Sequence, residues 1–526
     1  MKTNIYETYY NAYQPYMLLD FNLSFDSDIP HDDICRTVLE VTERINLCKY
    51  VDFSNRNSHG YDAFMMFNLV ILAKALFGYA STRDLEKLCQ TDIRFMFIAK
   101  NQKPSHQSFH RFIHDDLTMN IEDIFYDINK YLESNMDIDT DVLCIDGTKY
   151  EANANKNTFI WRANTVRNRT KRWKRTLNCI HKINNYFSSV NISTRYSLLK
   201  EPSIDYLLTI SERLEKYMLD QNIQMVHGKG CRKPAIQKLY EELKENALKM
   251  WEYAIHMDML QNRNSCSKTD PDATFMHMKY DYYNHTNVFK PGYNIQFGIS
   301  DGIIRNIYIS SDGNDLKTYI PFMKKYKEAY GKLPKRTPAD AGYGSYDNYS
   351  YCKENNIELY MKYSGYYKEK EKVTEKNRYK SIHFIKDDEG NYICLAGHAF
   401  ELEKETIDRQ GEYERINKHY VNRHCEGCPL RSKCTKAKNG RTLVHCDKLE
   451  EYHQEARSNV TSDEGIKLMK KRSNESEGTF GDLKYNQKYD RLRRRGEAGV
   501  KPIYIGIHTF YDPESRATLI HDWRAP

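Results

Sequence analysis

The sequence predicts an α/β protein with a mixed sheet core, an N-terminal all-helical domain and insertions. Three observations predict this class. Apolar residues recur at helical spacing over residues 34–99. A short apolar run at residues 142–145 indicates a buried strand that ends at a carboxylate, Asp146. The stretch over residues 292–310 alternates apolar and polar side chains and turns at residues 300–302, which predicts a β-hairpin.

The composition is that of a polar chain with enough apolar residues for real cores. Hydrophobic residues make up 40%, and the mean hydropathy is -0.78. Lys and Arg total 79 against 72 Asp and Glu, a net charge of +7, so the placement of the charges matters more than their sum. The length of 526 residues predicts roughly two to four domains.

The cysteine count and the first residues bear on the compartment. The chain has 13 cysteines, an odd number, and its first residues contain no apolar leader segment. Reduced thiols in a cytoplasmic protein are therefore expected. The most apolar stretch, residues 64–80, is broken by Asn68 and Lys74, which predicts a buried helix and no membrane span.

The N-terminal part divides into an arm and a helical domain. Residues 1–24 are expected to form a flexible, aromatic-rich arm, and residues 25–135 a helical domain. Helices are predicted over residues 61–79 and 81–99. Ser81 is the expected N-cap of the second helix, with Asp84 in the capping-box position.

A further helix, residues 103–117, carries several imidazole and guanidinium groups. Such a helix either contacts phosphates or is an ordinary packed helix with solvated charges, and the residues alone leave both open. The side chains concerned are His106, His110, Arg111 and His114.

Three separated acids are candidates for a shared site. Asp146 ends a buried strand before Gly147, where an acid is costly unless it is paired or holds a metal, although it could also simply cap a turn. Asp340 precedes a Gly-rich turn and a predicted helix. Glu477 lies seven positions before Lys484, so both side chains share one helix face and could point into one cleft.

An ordered set of motifs makes the chain resemble a known family. IDGTKYEANAN, TDPDATFM, GYNIQFGISDG, DAGYGSYDNY and RSNESEGTFGDLK, in this order, resemble DDE transposases of bacterial insertion sequences. The resemblance runs from about residue 25 to about residue 500, and its branch has an N-terminal helical domain and a cysteine-bearing insertion before the final Glu. It implies that the helical domain over residues 25–135 binds DNA or helps the protein dimerise. It implies a ribonuclease-H-like core with Asp146, Asp340 and Glu477 as the catalytic triad, assisted by Arg472 and Lys484. Asp270 and Asp272 of the second motif are expected to have supporting roles.

The chemistry suits the implied activity. Two divalent cations, Mg²⁺ or Mn²⁺, activate the attacking oxygen and stabilise the leaving oxygen in phosphodiester cleavage. Hard cations prefer carboxylate oxygens, which a three-acid site supplies. Water would be the first nucleophile and the freed 3′-hydroxyl of the element end the second. The expected partners are double-stranded DNA, as transposon ends and target, and a second copy in a homodimer on DNA. The expected location is the cytoplasm, associated with the nucleoid, with no membrane contact.

A long acid-free run follows the first motif. Residues 152–200 contain no Asp or Glu but eleven Lys or Arg. The run is either a solvated face or a track for DNA phosphates, and its length beside Asp146 favours the track. It belongs to a predicted helical insertion over residues 156–262 in a core spanning residues 136–363. The expected phosphate contacts are Arg162, Arg167, Arg169, Lys171, Arg172, Lys174 and Arg175.

A second insertion, residues 364–460, carries cysteines at metal-ligand spacing. CEGCPLRSKC gives C-x2-C-x5-C, and another cysteine lies 31 residues upstream. Four thiolates bind Zn²⁺ tetrahedrally, so a structural zinc site is predicted, with unliganded cysteines in a polar loop as the alternative. His398, His424 or Cys446 could replace one ligand. The expected ligands are Cys394, Cys425, Cys428 and Cys434.

The last segments depart from the family pattern. Residues 461–500 are expected to hold the catalytic Glu helix, but relatives commonly have tyrosine at the position of Met469. Residues 501–526 lack the helical period that the family has there. The alternatives to an active transposase are therefore a decayed DNA-binding copy, a repressor of the element, or a metal-dependent DNase of the same fold.

Overall fold

The computed structural model describes residues 26–501, with gaps at residues 27, 51–59, 229–231, 282–284, 370–371, 375–376, 388–389, 487–488 and 490. The predicted arm over residues 1–24 lies outside the described residues. So does the divergent C-terminus, except for its first residue. The described part is mixed α/β, as predicted.

The N-terminal domain is entirely helical over its described residues. The capping box predicted for the third of its helices is present, because the Ser81 and Asp84 side chains each bond the other's backbone N–H. The helix predicted over residues 103–117 covers only His106–Arg111 and continues as a π-helical turn, Phe112–Leu117. The α-helices are α1 (Ile34–Glu43), α2 (Ala63–Phe77), α3 (Thr82–Thr91), α4 (Ile93–Ile98), α5 (His106–Arg111) and α6 (Ile121–Asn135).

The core sheet is assembled from strands before and after the helical insertion. Its antiparallel half has four strands: the predicted hairpin, the strand that carries Asp146, and a strand over residues 274–281 that pairs with the hairpin. Two parallel strands later in the chain adjoin this half. The strands of this part of the chain are β1 (Cys144–Glu151), β2 (Phe159–Trp161), β3 (Ser265–Ser267), β4 (Thr274–Asp281), β5 (Thr286–Ser300), β6 (Ile303–Ser310), β7 (Ala339–Gly344) and β8 (Met361–Tyr363).

The strand order is that of a ribonuclease-H-like fold. β5 lies between β6 and β1 and is antiparallel to both, with Asp146 opposite Phe297. The other edge of β1 is joined in parallel to the segment leading into β7, where the Ile145 amide donates to the Pro338 carbonyl at 3.0 Å. β7 and β8 are also parallel. The resulting order β6-β5-β1-β7-β8 confirms the predicted fold class.

The two faces of β1 meet different helices, because successive side chains of a strand alternate. Leu143 and Ile145 pack into a core with α10 (Tyr319–Tyr330), α11 (Tyr346–Glu354) and α14 (Asp447–Thr461). Val142 and Cys144 pack instead with Leu468 of α15 (Asp463–Gly481). Asp146 continues the second set along the strand, so its side chain faces α15.

The helical insertion is a three-helix unit with its own apolar core. Its core residues come from all three helices, and Trp173, which interrupts the basic run, is one of them. β2, just before the unit, and β3, just after it, form a short antiparallel pair. The helices are α7 (Arg162–Ser189), α8 (Ile204–Asp220) and α9 (Ala235–Leu260), within the predicted insertion.

The cysteine-bearing insertion is built on small antiparallel sheets. The larger sheet has the order β11-β12-β13. α14, which the prediction included in this insertion, packs on the core sheet through Tyr452 and Ala456, so the separate unit ends before Asp447. Its elements are α12 (Tyr366–Glu369), β9 (Ile385–Lys386), β10 (Tyr392–Ile393), β11 (Glu401–Asp408), β12 (Arg415–Asn422), α13 (Arg431–Cys434) and β13 (Arg441–His445).

No single described helix is long and apolar enough to cross a membrane, although α2 and α3, bent by 95°, would pass such a test as a pair. Ten residues of α2 are buried within the protein, as predicted for the most apolar stretch.

Candidate active site

Asp146 is held at the centre of the site by two hydrogen bonds. The Gly147 amide donates to its Oδ1 at 2.8 Å, and Arg472 Nη1 of α15 donates to its Oδ2 at 2.7 Å. The Asp146 side chain is only 20% exposed. Burial raises its pKa to about 6; Arg472 opposes this rise and the negative charge of Asp340 adds to it. The positive charge of Arg472 therefore does not offset the effect of burial on the Asp146 carboxylate.

Asp340 lies on β7, beside β1 in the parallel half of the sheet. The Gly342 amide donates to its Oδ1 at 2.7 Å. Burial raises the pKa of Asp340, and the charge of Asp315 raises it further. The negative charge of Asp340 contributes to the raised pKa of Asp146, so the two acids lie near each other.

Asp315 is an acid of the site that the sequence analysis missed. It follows β6 in a short 3₁₀ turn, and the Asn294 and Gln296 amides donate to its Oδ1 at 2.7 and 3.1 Å. A Cβ added at Gly342 would lie 2.9 Å from Asp340 Oδ1 and 3.3 Å from Asp315 Oδ2, so both carboxylates flank this bare glycine. The only signal in the sequence was an acid between the hairpin and the next helix.

α15 brings Arg472 to the site but turns Glu477 outward. Glu477 is exposed, and within the described residues no hydrogen bond or ion pair joins it to Asp146 or Asp340. Glu475 is the acid of this helix that faces β1, where it contacts Cys144, and burial raises its pKa to about 7. Residues two apart on a helix lie on nearly opposite sides. Glu477 as the third metal ligand therefore stays a prediction.

Lys484 lies against Thr148, beyond Asp146 along β1. It follows α15 in the π-helical turn Asp482–Asn486, and its ammonium bonds the Thr148 hydroxyl and the Lys149 carbonyl. The ammonium also lies 4.6 Å from the centre of the Tyr150 ring. Thr148 follows Asp146 on the same face of the strand. Lys484 is thus placed next to the aspartate pair, along the same face of β1.

The donor set suits a hard divalent cation. Two half-buried carboxylates repel each other here, Asp315 adds a third negative charge, and Arg472 is the cation bonded to Asp146. Oxygen-rich sites of this kind favour Mg²⁺ and Mn²⁺. In the described part of the chain, however, no three His, Cys, Asp or Glu side chains are already arranged around one metal position. Binding would require side chains to move, beginning with Arg472.

The basic run forms the first part of α7, and its cations differ in exposure and in their bonds within the protein. Arg162 and Arg172 are used within the insertion, since Arg162 Nε donates to the Arg263 carbonyl at 2.9 Å and Arg172 Nη1 lies 3.3 Å from Glu245. Arg169 is half-buried. The exposed group shares one helix face by its spacing. It comprises Arg167, Lys171, Lys174 and Arg175.

The four predicted zinc ligands line one small cavity of about 20 Å³. Burial raises the pKa of Cys434, Arg441 lowers it, and the three other thiols raise it again. The Arg441 amide also donates to Cys425 Sγ at 3.3 Å. Of the possible substitutes, Cys446 is buried in the core instead. The cavity is lined by Cys394, Cys425, Cys428 and Cys434, with His398 and His424 beside them.

Asp270 and Asp272 have the structural role expected of them. Asp270 is fully buried and accepts hydrogen bonds from the Tyr293 hydroxyl at 2.9 Å and the Gly496 amide at 3.1 Å. Asp272 accepts from the Glu497 amide at 2.9 Å. The two acids therefore fasten the basic segment after α15 to the core.

Two family models match this chain. One, described as a transposase DDE domain, covers residues 393–504, and the other, described as a transposase domain (DUF772), covers residues 23–115. Both matches support an insertion-sequence DDE transposase. The match to the catalytic family includes Arg472 and Glu477 of this transposase. Asp146 and Asp340 lie between the two matched regions.

No curated protein and no solved structure matches this transposase. The placement of its two aspartates therefore rests on the sheet topology of the chain itself.

Proposed function

We propose that this transposase binds the ends of its element, cleaves the DNA there and transfers the 3′-hydroxyl ends to target DNA, using two divalent cations. The observation that carries the proposal is the proximity of Asp146 and Asp340, half-buried acids on neighbouring parallel strands, with Arg472 bonded to the first. Bound Mg²⁺ or Mn²⁺ would activate the attacking oxygen and stabilise the leaving one.

Each residue of the site has a separate task in this proposal. Asp146 and Asp340 hold the cations, and Arg472, once displaced from Asp146, is free to bond a phosphate oxygen of the scissile strand. Lys484 stands beside them to contact the DNA backbone. The third carboxylate is either Glu477, which the family resemblance implies, or Glu475, which lies against β1.

The substrate would be bound along α7. The exposed group Arg167, Lys171, Lys174 and Arg175 spans about 12 Å of helix at about 1.5 Å per residue, enough for successive phosphates of one strand. The remaining predicted contacts, Arg162, Arg169 and Arg172, would support this face, because two of them already anchor the insertion.

The activity is tested with labelled element ends and a target duplex. We expect Mg²⁺-dependent cleavage followed by joining of the 3′-hydroxyl end to the target. Cleavage without joining would identify the DNase alternative, and binding without cleavage an inactive copy or a repressor. An absence of DNA binding would refute the proposal altogether.

The contribution of α7 is tested by replacing its four exposed cations with Gln. The dependence of end binding on salt should flatten by about 0.9 log units per decade of salt for each lost phosphate contact. Replacing Arg213 and Lys216, exposed on α8 of the same insertion, is the matched control and should leave the slope unchanged. An unchanged slope in the α7 variant would show that its face is only solvated.

We further propose that Cys394, Cys425, Cys428 and Cys434 hold one structural Zn²⁺. Their position around one cavity and the backbone amide directed at Cys425 support this, because thiolates bound to zinc commonly accept such hydrogen bonds. Metal analysis should find about one zinc per chain, lost when Cys425 and Cys428 become Ser. The control is Cys48→Ser, since Cys48 is exposed and lies in the N-terminal domain. Finding no zinc in the intact protein would reject the site.

The remaining expectations belong to the same proposal. The protein would act as a homodimer on its two DNA ends, in the cytoplasm and associated with the nucleoid. Light scattering with and without end DNA tests the dimer, and a single copy per bound pair of ends would contradict it.

A further inference from the structure

A cavity of about 300 Å³ lies between the N-terminal helices and the segment that follows α15. Its floor is apolar and formed by residues such as Val70, Ile71 and Leu85. Its polar lining is dominated by nitrogen groups that are cationic or can become so. These are Lys74, His110, His114, Arg493 and Arg494.

Lys74 is the most unusual of these groups. It projects from α2, and burial, followed by the charge of Arg494, lowers its pKa to about 8. No carboxylate lines the cavity, and among the described residues none is bonded to the Lys74 ammonium. An ammonium partly withdrawn from water without a counter-charge is costly unless an anion binds beside it.

Two acids lie near the cavity without lining it. Asp84 completes the capping box with Ser81, whose backbone and hydroxyl it binds. Asp115 raises the pKa of the neighbouring His114, but burial and Arg494 have the larger effect, and that pKa is lowered. The cavity therefore keeps an excess of positive charge.

The arginines are held in place by groups that do not neutralise them. The Arg493 guanidinium lies 4.0 Å from the centre of the Tyr79 ring, and Arg494 Nη1 is 3.4 Å from His114 Nδ1. Their segment is fixed by the hydrogen bond from the Gly496 amide to the buried Asp270. Such preorganised cations suit recognition of an anion with several oxygens.

We propose that this cavity binds a phosphate group, with Lys74 at its base and Arg494 and His114 at its mouth. The volume is sufficient for a small ligand. The group could be a phosphodiester of bound DNA or a free small phosphate, since both offer the same oxygens. The site is separate from the exposed face of α7 and from the aspartate pair, and it does not depend on the catalytic assignment.

The first test uses the full-length protein and inorganic phosphate. Phosphate should raise the melting temperature more than NaCl of equal ionic strength, because it binds only the folded form. Lys74→Met should lose this difference, while removal of the charge leaves the protein folded without phosphate. Lys87→Met, at an exposed lysine of α3 outside the cavity, should keep the wild-type response. If Lys74→Met does not fold, Arg494→Gln serves as the second variant and should weaken the response.

The second arm identifies the source of the phosphate. If the ligand is DNA, Lys74→Met should reduce the salt dependence of duplex binding by about 0.9 log units per decade. If it is a free phosphate, that slope stays unchanged while the thermal response to phosphate is lost. A wild-type melting temperature that responds equally to phosphate and NaCl, together with an unchanged slope in Lys74→Met, would overturn the proposal. An equal phosphate response in wild type, Lys74→Met and Arg494→Gln would overturn it as well.

Discussion

The sheet side and the helix side of the candidate active site are held very differently. On the sheet side, Asp146 and Asp340 lie on paired strands. The pairing fixes the position of each aspartate along its strand and the face of the sheet on which its side chain lies. On the helix side, Arg472 reaches Asp146, but the acids at positions 475 and 477 point in nearly opposite directions. Strand pairing determines which side chain of each strand faces the site. For a helix, the side chains that face the site are known only when the rotation of the helix about its axis is known.

The difference has a physical origin. A one-residue shift of β1 would move its whole apolar set to the wrong face, which strongly disfavours any other register. α15 has no such register: it packs through Leu468, Met469 and Phe480 and makes polar contacts to Asp146 and Asp301. Because Glu475 and Glu477 lie about 200° apart around the helix, a large rotation or local unwinding of α15 would be needed to exchange the acid that faces the site.

The largest expected effect is on the sheet side. Asp340→Asn should reduce Mg²⁺-dependent cleavage by about a thousandfold, because a lost ligand removes several kcal/mol of transition-state stabilisation. Binding of element ends, measured by gel shift, should change little, since the exposed cations of α7 are untouched. Asp347→Asn, three residues beyond Gly344 on α11, is the control and should cleave normally. A variant at Asp340 that still cuts in Mg²⁺ would remove the basis for the site.

The next prediction addresses the helix side directly. If Glu477 is the third ligand, Glu477→Gln should abolish cleavage and Glu475→Gln should only weaken it; the opposite order would assign the ligand to Glu475. We expect the first order, from the family resemblance, with cleavage rates measured at several Mg²⁺ concentrations. Normal cleavage by both variants would show that the helix supplies no ligand.

Features that depend on local sequence patterns were predicted correctly, whereas features that depend on the packing of distant segments were not. The strand before Asp146, the hairpin turn near Ser300 and the Ser81 cap all depend on local patterns, and the structure contains each of them. Asp315 was missed because its proximity to Asp340 comes from the packing of non-adjacent segments. The outward direction of Glu477 was likewise hidden, since helical spacing relates Glu477 to Lys484 but not either to the sheet.

Asp315 offers a prediction of intermediate size. Its Oδ1 is occupied by two amides, so it is expected to orient and support the site without being its principal ligand. Asp315→Asn should raise the Mg²⁺ concentration for half-maximal cleavage by about 10–100-fold, as loss of a supporting group does in metal sites. Asp312→Asn, in the same loop, is the matched control. An unaltered Mg²⁺ requirement in Asp315→Asn would exclude Asp315 from the site.

The smallest effect concerns how α14 is anchored beside the sheet. His453 of α14 stacks on Tyr363 of β8 with ring centres 3.8 Å apart, and burial lowers its pKa to about 4. The fold therefore favours the neutral ring. Its contribution to stability is present above the usual histidine pKa of about 6.5 and is lost as pH falls towards 4. Urea unfolding should show a smaller acid-induced loss of stability for His453→Gln than for wild type; equal losses would contradict this anchoring.

The central claim is that Asp146 and Asp340 form the cation-binding centre of this transposase. The most direct measurement is anomalous diffraction from crystals containing Mn²⁺ and an element end. We predict an anomalous peak about 2.0–2.2 Å from a carboxylate oxygen of each aspartate, with Arg472 displaced from Asp146. Crystals in which Mn²⁺ and DNA are bound elsewhere, while Arg472 stays bonded to Asp146, would contradict the account.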